Sequence, residues 1–112
     1  MDLSMPPRSH LPPEERRALS RLRLLLNRPG LLHGSLHRVT RRCGKKSCHC
    51  AEGEAHPAYL LRVAERGTVR SVYVPTAWVA RVQEWIDRDR QIRDLLLEIS
   101  SHCLVRLRRR KE

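Results

Sequence analysis

The stretch Arg42-Cys43-Gly44-Lys45-Lys46-Ser47-Cys48-His49-Cys50, followed six residues later by His56, decides how the rest of this sequence is interpreted. A packed core does not need three cysteines this close together among basic residues, but a bound metal ion does. We call Cys43–His56 the knuckle. The remaining chain then forms a small scaffold that holds the knuckle between two helices.

Zinc is bound by thiolate and imidazole at four tetrahedral positions, and structural zinc sites fill all four with protein ligands. Gly44 permits the tight turn that brings Cys43 and Cys48 onto one ion, and Cys50 lies two residues beyond Cys48. His56 is the nearest further ligand in the right direction along the chain. The predicted zinc ligands are therefore Cys43, Cys48, Cys50 and His56.

Several alternatives to this ligand set remain open. His49 lies between two ligating cysteines and is poorly placed to reach the same ion, whereas His33 and His37 require the first strand to fold back over the knuckle. The cysteines are otherwise free surface thiols, or they have a redox or disulfide role.

The charge balance is the second constraint, with 23 Lys and Arg against 12 Asp and Glu and a formal net charge of +11. Arginine dominates the positive charge and contacts phosphates in a bidentate manner, so the balance is typical of a nucleic-acid binder. A solvated basic surface without a dedicated partner is the alternative. The candidate contact residues lie near the knuckle, on a predicted hairpin where Arg62 and Arg70 could share one face, and in the C-terminal tail: Arg38, Arg41, Arg42, Lys45, Lys46, Arg62, Arg70, Arg108, Arg109 and Arg110.

No stretch approaches the roughly 18 consecutive apolar residues of a membrane span, and the N-terminal residues lack the apolar region of a signal peptide. We therefore expect a cytoplasmic protein without a membrane partner. In that compartment thiols stay reduced, so clustered cysteines indicate a metal more often than a disulfide.

The order of elements predicts an α+β fold with an N-terminal helix, a small three-stranded antiparallel sheet that carries the zinc knuckle, and a long C-terminal helix. Proline and two acidic residues open the first helix, alternating β-branched residues mark the strands, and Thr76 is a plausible N-cap of the last helix. The expected bounds are a disordered arm at 1–12, one domain at 13–105 and a basic tail at 106–112, with the domain divided into a helix at 13–27, a strand and knuckle at 35–56, a hairpin at 58–74 and a helix at 76–105.

In the long helix, Trp78, Trp85, Ile92 and Ile99 recur every seven residues. This repeat predicts a coiled coil, formed either with the first helix as an antiparallel pair or with a second copy as a homodimer. Both tryptophans are expected to pack in a core rather than stack on bases, and Cys103 is expected to be a small core residue.

Several short motifs give a resemblance over roughly residues 34–100: Gly34-Ser35-Leu36, the Cys43-Gly44-Lys45 and Cys48-His49-Cys50 segments, Gly53-Glu54-Ala55-His56, Tyr59 and Tyr73-Val74-Pro75. In this order they resemble an uncharacterised family of small prokaryotic proteins, similar to the accessory proteins of mobile elements. The resemblance implies DNA as partner and brings no established activity. The chain departs from the family at His56-Pro57-Ala58-Tyr59, where His-Gly-Pro-Tyr is common.

No enzyme is predicted, because the sequence has no glycine-rich phosphate loop and no nucleophile with a recognisable base partner. Glu52 and Glu54 resemble the glutamate of zinc deaminases, but the His-x-Glu and Cys-x-x-Cys pairing is missing. The sequence therefore predicts a zinc-stabilised accessory protein that binds nucleic acid, with DNA favoured over RNA, linked to transposition or recombination. The alternative is a zinc-stapled interaction adaptor that dimerises through its long helix or binds a recombinase or transposase.

Overall fold

The computed structural model describes residues 5–41 and 56–110, and every structural statement below refers to these residues. The α+β class is confirmed. In chain order the helices and strands are α1 (Pro13–Leu26), β1 (Gly34–Arg41), β2 (His56–Glu65), β3 (Thr68–Val74) and α2 (Val79–Arg108), with single 3-10 turns at Arg8–His10 and Thr76–Trp78.

The three strands form one antiparallel sheet in the order β1-β2-β3. Arg66 and Gly67 connect β2 to β3, and both have positive φ angles, 50° and 82°. Two left-handed residues in succession define the mirror-image turn whose twist matches that of paired strands. The predicted hairpin is confirmed, with a two-residue turn.

One face of the sheet packs against the first turns of α2. Leu61 of β2 and Val74 of β3 are buried together with Val82 and Ile86 of α2. Half-buried apolar residues surround these four, namely Leu32, Leu36, Tyr59, Val63, Val79 and Trp85. Removal of this apolar surface from water is the main force that holds the sheet on the helix.

Gly34 begins β1 because no side chain fits there. A Cβ atom at this position would lie 2.7 Å from the carbonyl oxygen of Arg62 and 2.9 Å from Cγ1 of Val63. Neither atom belongs to a flexible side-chain tip, so a larger residue would push β1 away from β2. The glycine therefore fixes how closely the two strands pair.

The α1 helix begins at Pro13 as predicted, with Glu14 and Glu15 in its first turn. Glu15 is buried, and its carboxylate accepts a hydrogen bond of 2.5 Å from Nη2 of Arg106 near the end of α2. The described residues thus join the beginning of α1 to the end of α2 by a charged contact. The sequence pattern did not reveal this contact.

The chain divides into two compact units. One unit spans Leu31–Asp89 and contains the sheet. The other combines the residues up to Gly30 with those from Arg90 onward, and its buried apolar residues are Leu11, Ala18, Ile92 and Leu95. Because each half of α2 buries its apolar residues within a different unit, the two units have separate cores.

Helical turns occur at residues 8–10 and 106–108, within the segments expected to be an arm and a tail. Within the expected arm at 1–12, Arg8–His10 forms a 3-10 turn and Leu11 is buried. The α2 helix continues to Arg108 and so includes part of the expected tail. In the arm, the burial of an apolar side chain outweighs the effect of the prolines. In the tail, the backbone hydrogen bonds that continue α2 outweigh the repulsion between its charges.

Three expectations about the long helix are wrong. Thr76 makes no capping hydrogen bond, because a 3-10 turn that follows Pro75 precedes α2. Trp78 lies in that turn and is 45% exposed, with its ring edge-on to that of Trp85 at a centroid distance of 6.2 Å. Cys103 is also exposed. Trp85, by contrast, packs against the core as predicted.

Among the described residues, no helix is long and apolar enough to cross a membrane.

Candidate nucleic-acid interface and metal knuckle

The strand register assigns the sheet residues to two faces, because successive side chains of a strand point to opposite sides. The inner face contains Leu36, Leu61 and Val74, which pack toward α2. The residues that alternate with this set along the strands form what we call the outer face, whose described side chains are Ser35, His37, Val39, Ala58, Leu60, Arg62, Ala64, Val69, Ser71 and Tyr73.

Two rows cross the centre of the outer face. His37 pairs with Leu60, and Leu60 pairs with Tyr73, so that one row spans all three strands. The next row along the strands is Ser35–Arg62–Ser71, built by the same register. Tyr73 is 57% exposed, and His37 and Arg62 are exposed as well.

The outer face combines an aromatic ring, an imidazole and a guanidinium, and it contains no Asp or Glu. Neither His37 nor Tyr73 is among the predicted nucleic-acid contacts, and His37 was predicted only as an alternative zinc ligand. The alternation of Val69, Ser71 and Tyr73 with Arg70, Val72 and Val74 was the signal that could have placed Tyr73 on the solvent side. The pairing with His37 depends on the register and could not be read from that alternation.

The expectation that Arg62 and Arg70 share one face is wrong. Arg62 pairs with Ser71, whereas Arg70 pairs with Val63, so the two arginines lie on opposite faces. Arg70 also forms an ion pair of 3.6 Å with Glu65. Of the predicted arginines on the hairpin, Arg62 alone belongs to the outer face.

The other predicted arginines are spread over the two units. Arg38 is exposed and pairs with Tyr59, on the inner-face side of β1. Arg108 ends α2, and Arg109 and Arg110 follow it, all three exposed. Nη1 of Arg110 donates a hydrogen bond of 2.8 Å to the carbonyl oxygen of Leu107. The tail arginines thus extend a helix end rather than a loose segment.

The connection between β1 and β2 leaves and enters the sheet at paired residues, because Arg41 at the end of β1 pairs with His56 at the start of β2. Cys43 follows two residues after Arg41 in the sequence. The predicted site residues between these two positions lie outside the described residues, namely Arg42, Cys43, Lys45, Lys46, Cys48 and Cys50. The side chains of Arg41 and His56 lie outside them as well. Within residues 5–41 and 56–110, no group of three or more His, Cys, Asp or Glu side chains is arranged to hold a metal ion.

Two of the alternative zinc ligands, His33 and His37, have other partners within the chain. Nδ1 of His33 lies 2.8 Å from Oδ2 of Asp89, and Nε2 of His37 lies 2.8 Å from Oγ of Ser35.

Much of the acidic charge in the described residues is already bound within the chain. Besides the pairs of Glu15 and Glu65, Glu84 accepts a hydrogen bond of 2.8 Å from Arg88. The hydrogen bond to Glu15 raises the pKa of Arg106 above its usual value, so this arginine stays charged. In the part of the chain described, Arg38, Arg62 and Arg108 have no acidic partner and remain available to an anion.

The fold and the site define a small α+β protein with an open, acid-free sheet face and a cysteine-bearing connection between paired strands. The chain belongs to a family described as a domain of unknown function, DUF6788, whose model matches residues 13–84. The matched segment contains α1, the whole sheet, the knuckle and the first turns of α2. No curated protein and no solved structure matches the chain.

Proposed function

We propose that this protein binds nucleic acid, with DNA favoured over RNA, as a zinc-stabilised accessory protein of mobile elements that acts in transposition or recombination. The observation that carries the proposal is the outer face of the sheet, where Arg62 stands among apolar and aromatic residues without any carboxylate. In a chain with a net charge of +11, such a face attracts a polyanion. The protein binds and does not catalyse in this proposal.

The test of nucleic-acid binding is a titration against a labelled DNA duplex, the matching single strand and the same sequence as RNA. Each titration is repeated at about 50 mM and about 200 mM salt. Contacts with phosphate release counterions, so the affinity should fall by an order of magnitude or more between the two concentrations. Absence of binding to all three probes at the lower salt concentration would contradict the proposal.

Zinc is the second part of the proposal, with Cys43, Cys48, Cys50 and His56 as its ligands. The pairing of Arg41 with His56 supports it, because the segment that carries the three cysteines begins and ends at neighbouring positions of the sheet, as ligands of a shared ion require. The ion would close the connection between β1 and β2 and add its binding free energy to folding. Cytoplasmic conditions, which keep thiols reduced, are the setting that the proposal requires.

Native mass spectrometry tests the zinc site. The protein should carry one zinc ion, and Cys48→Ser should lose it. Cys103→Ser is the matched control, because Cys103 is an exposed cysteine on α2 outside the knuckle, and this variant should keep its zinc. A metal-free mass for freshly purified protein would rule out the zinc site and leave the nucleic-acid test unaffected.

A second candidate function is an adaptor that dimerises through α2. The exposed side of α2 carries a stripe at helical spacing that consists of Asp94, Leu97, Ser101, Leu104 and Arg108. Leu97 is 70% exposed and Leu104 is 44% exposed. Leucines in such a stripe favour a helical partner, and a second copy of the chain is the occupant that we propose.

The charges at the two ends of this stripe favour that occupant. Asp94 and Arg108 each lie seven residues from Ser101. In an antiparallel contact centred on Ser101, Asp94 of one copy therefore lies near Arg108 of the other, and the leucines meet between them. A two-fold interface is self-complementary in this way. The adaptor candidate predicts a dimer in the absence of nucleic acid.

A further inference from the structure

We infer that the outer face of the sheet binds single-stranded nucleic acid, with bases stacked on Tyr73 and His37 and the backbone held by Arg62. This inference rests on the proposed function and names the form of nucleic acid that the face accepts. It is carried by the two rows that the register builds across the three strands, His37–Leu60–Tyr73 and Ser35–Arg62–Ser71.

Two rings on the outer face are accessible to bases. Tyr73 is more than half exposed, and His37 is exposed on the opposite edge strand of the same row. Neighbouring strands lie about 4.8 Å apart, so the backbones of the two residues are separated by roughly 10 Å. Leu60 is half-buried between them and supplies an apolar floor. This row accommodates two neighbouring bases side by side.

The positive charge of Arg62 lies beside these two rings. Arg62 lies on the central strand two residues from Leu60, a separation of roughly 7 Å along the strand. A guanidinium at that distance contacts the phosphates of a strand whose bases cover the first row. Ser35 and Ser71 flank Arg62 in its row, and their hydroxyls can donate to the same backbone.

Stacking on the outer face distinguishes a single strand from a duplex. A ring on a sheet stacks only on a base whose flat face is open, and in a duplex the neighbouring base pairs cover those faces. Among the described residues the outer face consists of the side chains of three paired strands and has no helix on it that could enter a groove. The geometry therefore favours an unpaired strand.

Charge complementarity identifies the occupant as nucleic acid. Among its described side chains the outer face offers one guanidinium, apolar and aromatic surface, and no carboxylate. A nucleic-acid strand matches both properties, since its bases present apolar faces and its phosphates are anionic. An acidic peptide matches the cation but has no flat ring at each residue for Tyr73 and His37.

The test compares fluorescence anisotropy titrations of a labelled single-stranded oligonucleotide and of its blunt duplex. Tyr73→Leu keeps an apolar side chain that a strand tolerates but removes the ring, whereas Tyr73→Phe keeps the ring. We expect Tyr73→Leu to weaken single-strand binding on the order of tenfold and duplex binding less than twofold. Tyr73→Phe should bind like the unaltered protein.

Arg62→Gln provides the second arm, with Arg90→Gln as its matched control. Arg90 is exposed on α2 and has no acidic partner among residues 5–41 and 56–110. Arg62→Gln should reduce the salt dependence of single-strand binding by about one phosphate contact, and Arg90→Gln should leave it unchanged. Thermal unfolding of each variant confirms that the fold is intact.

The outcomes separate this inference from the proposed function. Loss of all binding by the unaltered protein at low salt contradicts the proposed function itself. Binding that survives in Tyr73→Leu, or that falls equally for duplex and single strand, overturns only the stacking face. The inference also fails if Tyr73→Leu weakens binding to poly-glutamate or to anionic vesicles as much as binding to the single strand.

Discussion

At the residue scale, Glu15 and Arg106 form the charged contact that links the beginning of α1 with the end of α2. Glu15 is buried, while Arg106 remains about one-third exposed. The hydrogen bond raises the pKa of Arg106, so its contribution to stability is complete below the ordinary pKa of arginine. Arg106 would lose its charge only in strong alkali, so it stays charged over the physiological pH range.

Arg106→Met should lower Tm on the order of 10 °C, because it leaves a buried carboxylate without its partner. Glu15→Gln should lower it less, since the amide can still accept a hydrogen bond from Arg106. Arg17→Met is the matched control, because Arg17 pairs with the exposed Glu14 at 3.7 Å. That change should shift Tm by less than about 2 °C in a calorimetric scan. Equal shifts for Arg106→Met and Arg17→Met would contradict the structural role of the contact.

At the element scale, the β2–β3 hairpin places a residue in a conformation that its type disfavours. Arg66 has a φ angle of 50°, where side chains with a Cβ atom are strained unless they are Asn, Asp or Gly. The next position has a φ angle of 82°, which glycine adopts without strain, and Gly67 occupies it. The hairpin therefore forms through its strands and its second turn residue, while Arg66 costs stability.

Arg66→Asn should raise the free energy of unfolding by about 0.5–1 kcal/mol, because Asn-Gly is the preferred sequence of this turn. Urea unfolding measures the change. Gly67→Ala is the opposing variant and should be destabilised, since its φ angle does not suit a Cβ atom even though open space surrounds the position. A less stable Arg66→Asn protein would show that the arginine makes a contribution beyond the turn.

At the scale of the whole molecule, exposed apolar side chains favour self-association more than charged side chains do. The unit that contains α1 and the end of α2 buries only four apolar side chains fully, Leu11, Ala18, Ile92 and Leu95, among its described residues. Large apolar residues remain exposed on the same unit, among them Leu24, Leu97 and Leu104. A core this small gains stability from a second copy.

Sedimentation of the unaltered protein at tens of micromolar should show a dimer. Leu97→Glu combined with Leu104→Glu should give a monomer, because four carboxylates would meet at the two-fold contact. Leu24→Glu, an equally exposed leucine on α1, should leave the dimer intact. A monomer at all concentrations tested would contradict the adaptor candidate without affecting nucleic-acid binding.

The sequence by itself determined the α+β order, the start of α1 at Pro13, the hairpin of β2 and β3 and the packing of Trp85 against the core, because each follows from local propensity or from a short period. The tertiary structure alone decided which residues share a face. The register placed Arg62 with His37 and Tyr73 and separated it from Arg70, and packing between distant segments buried Glu15 against Arg106. Pairing across strands and between helices depends on contacts far apart in the chain, which no local pattern encodes.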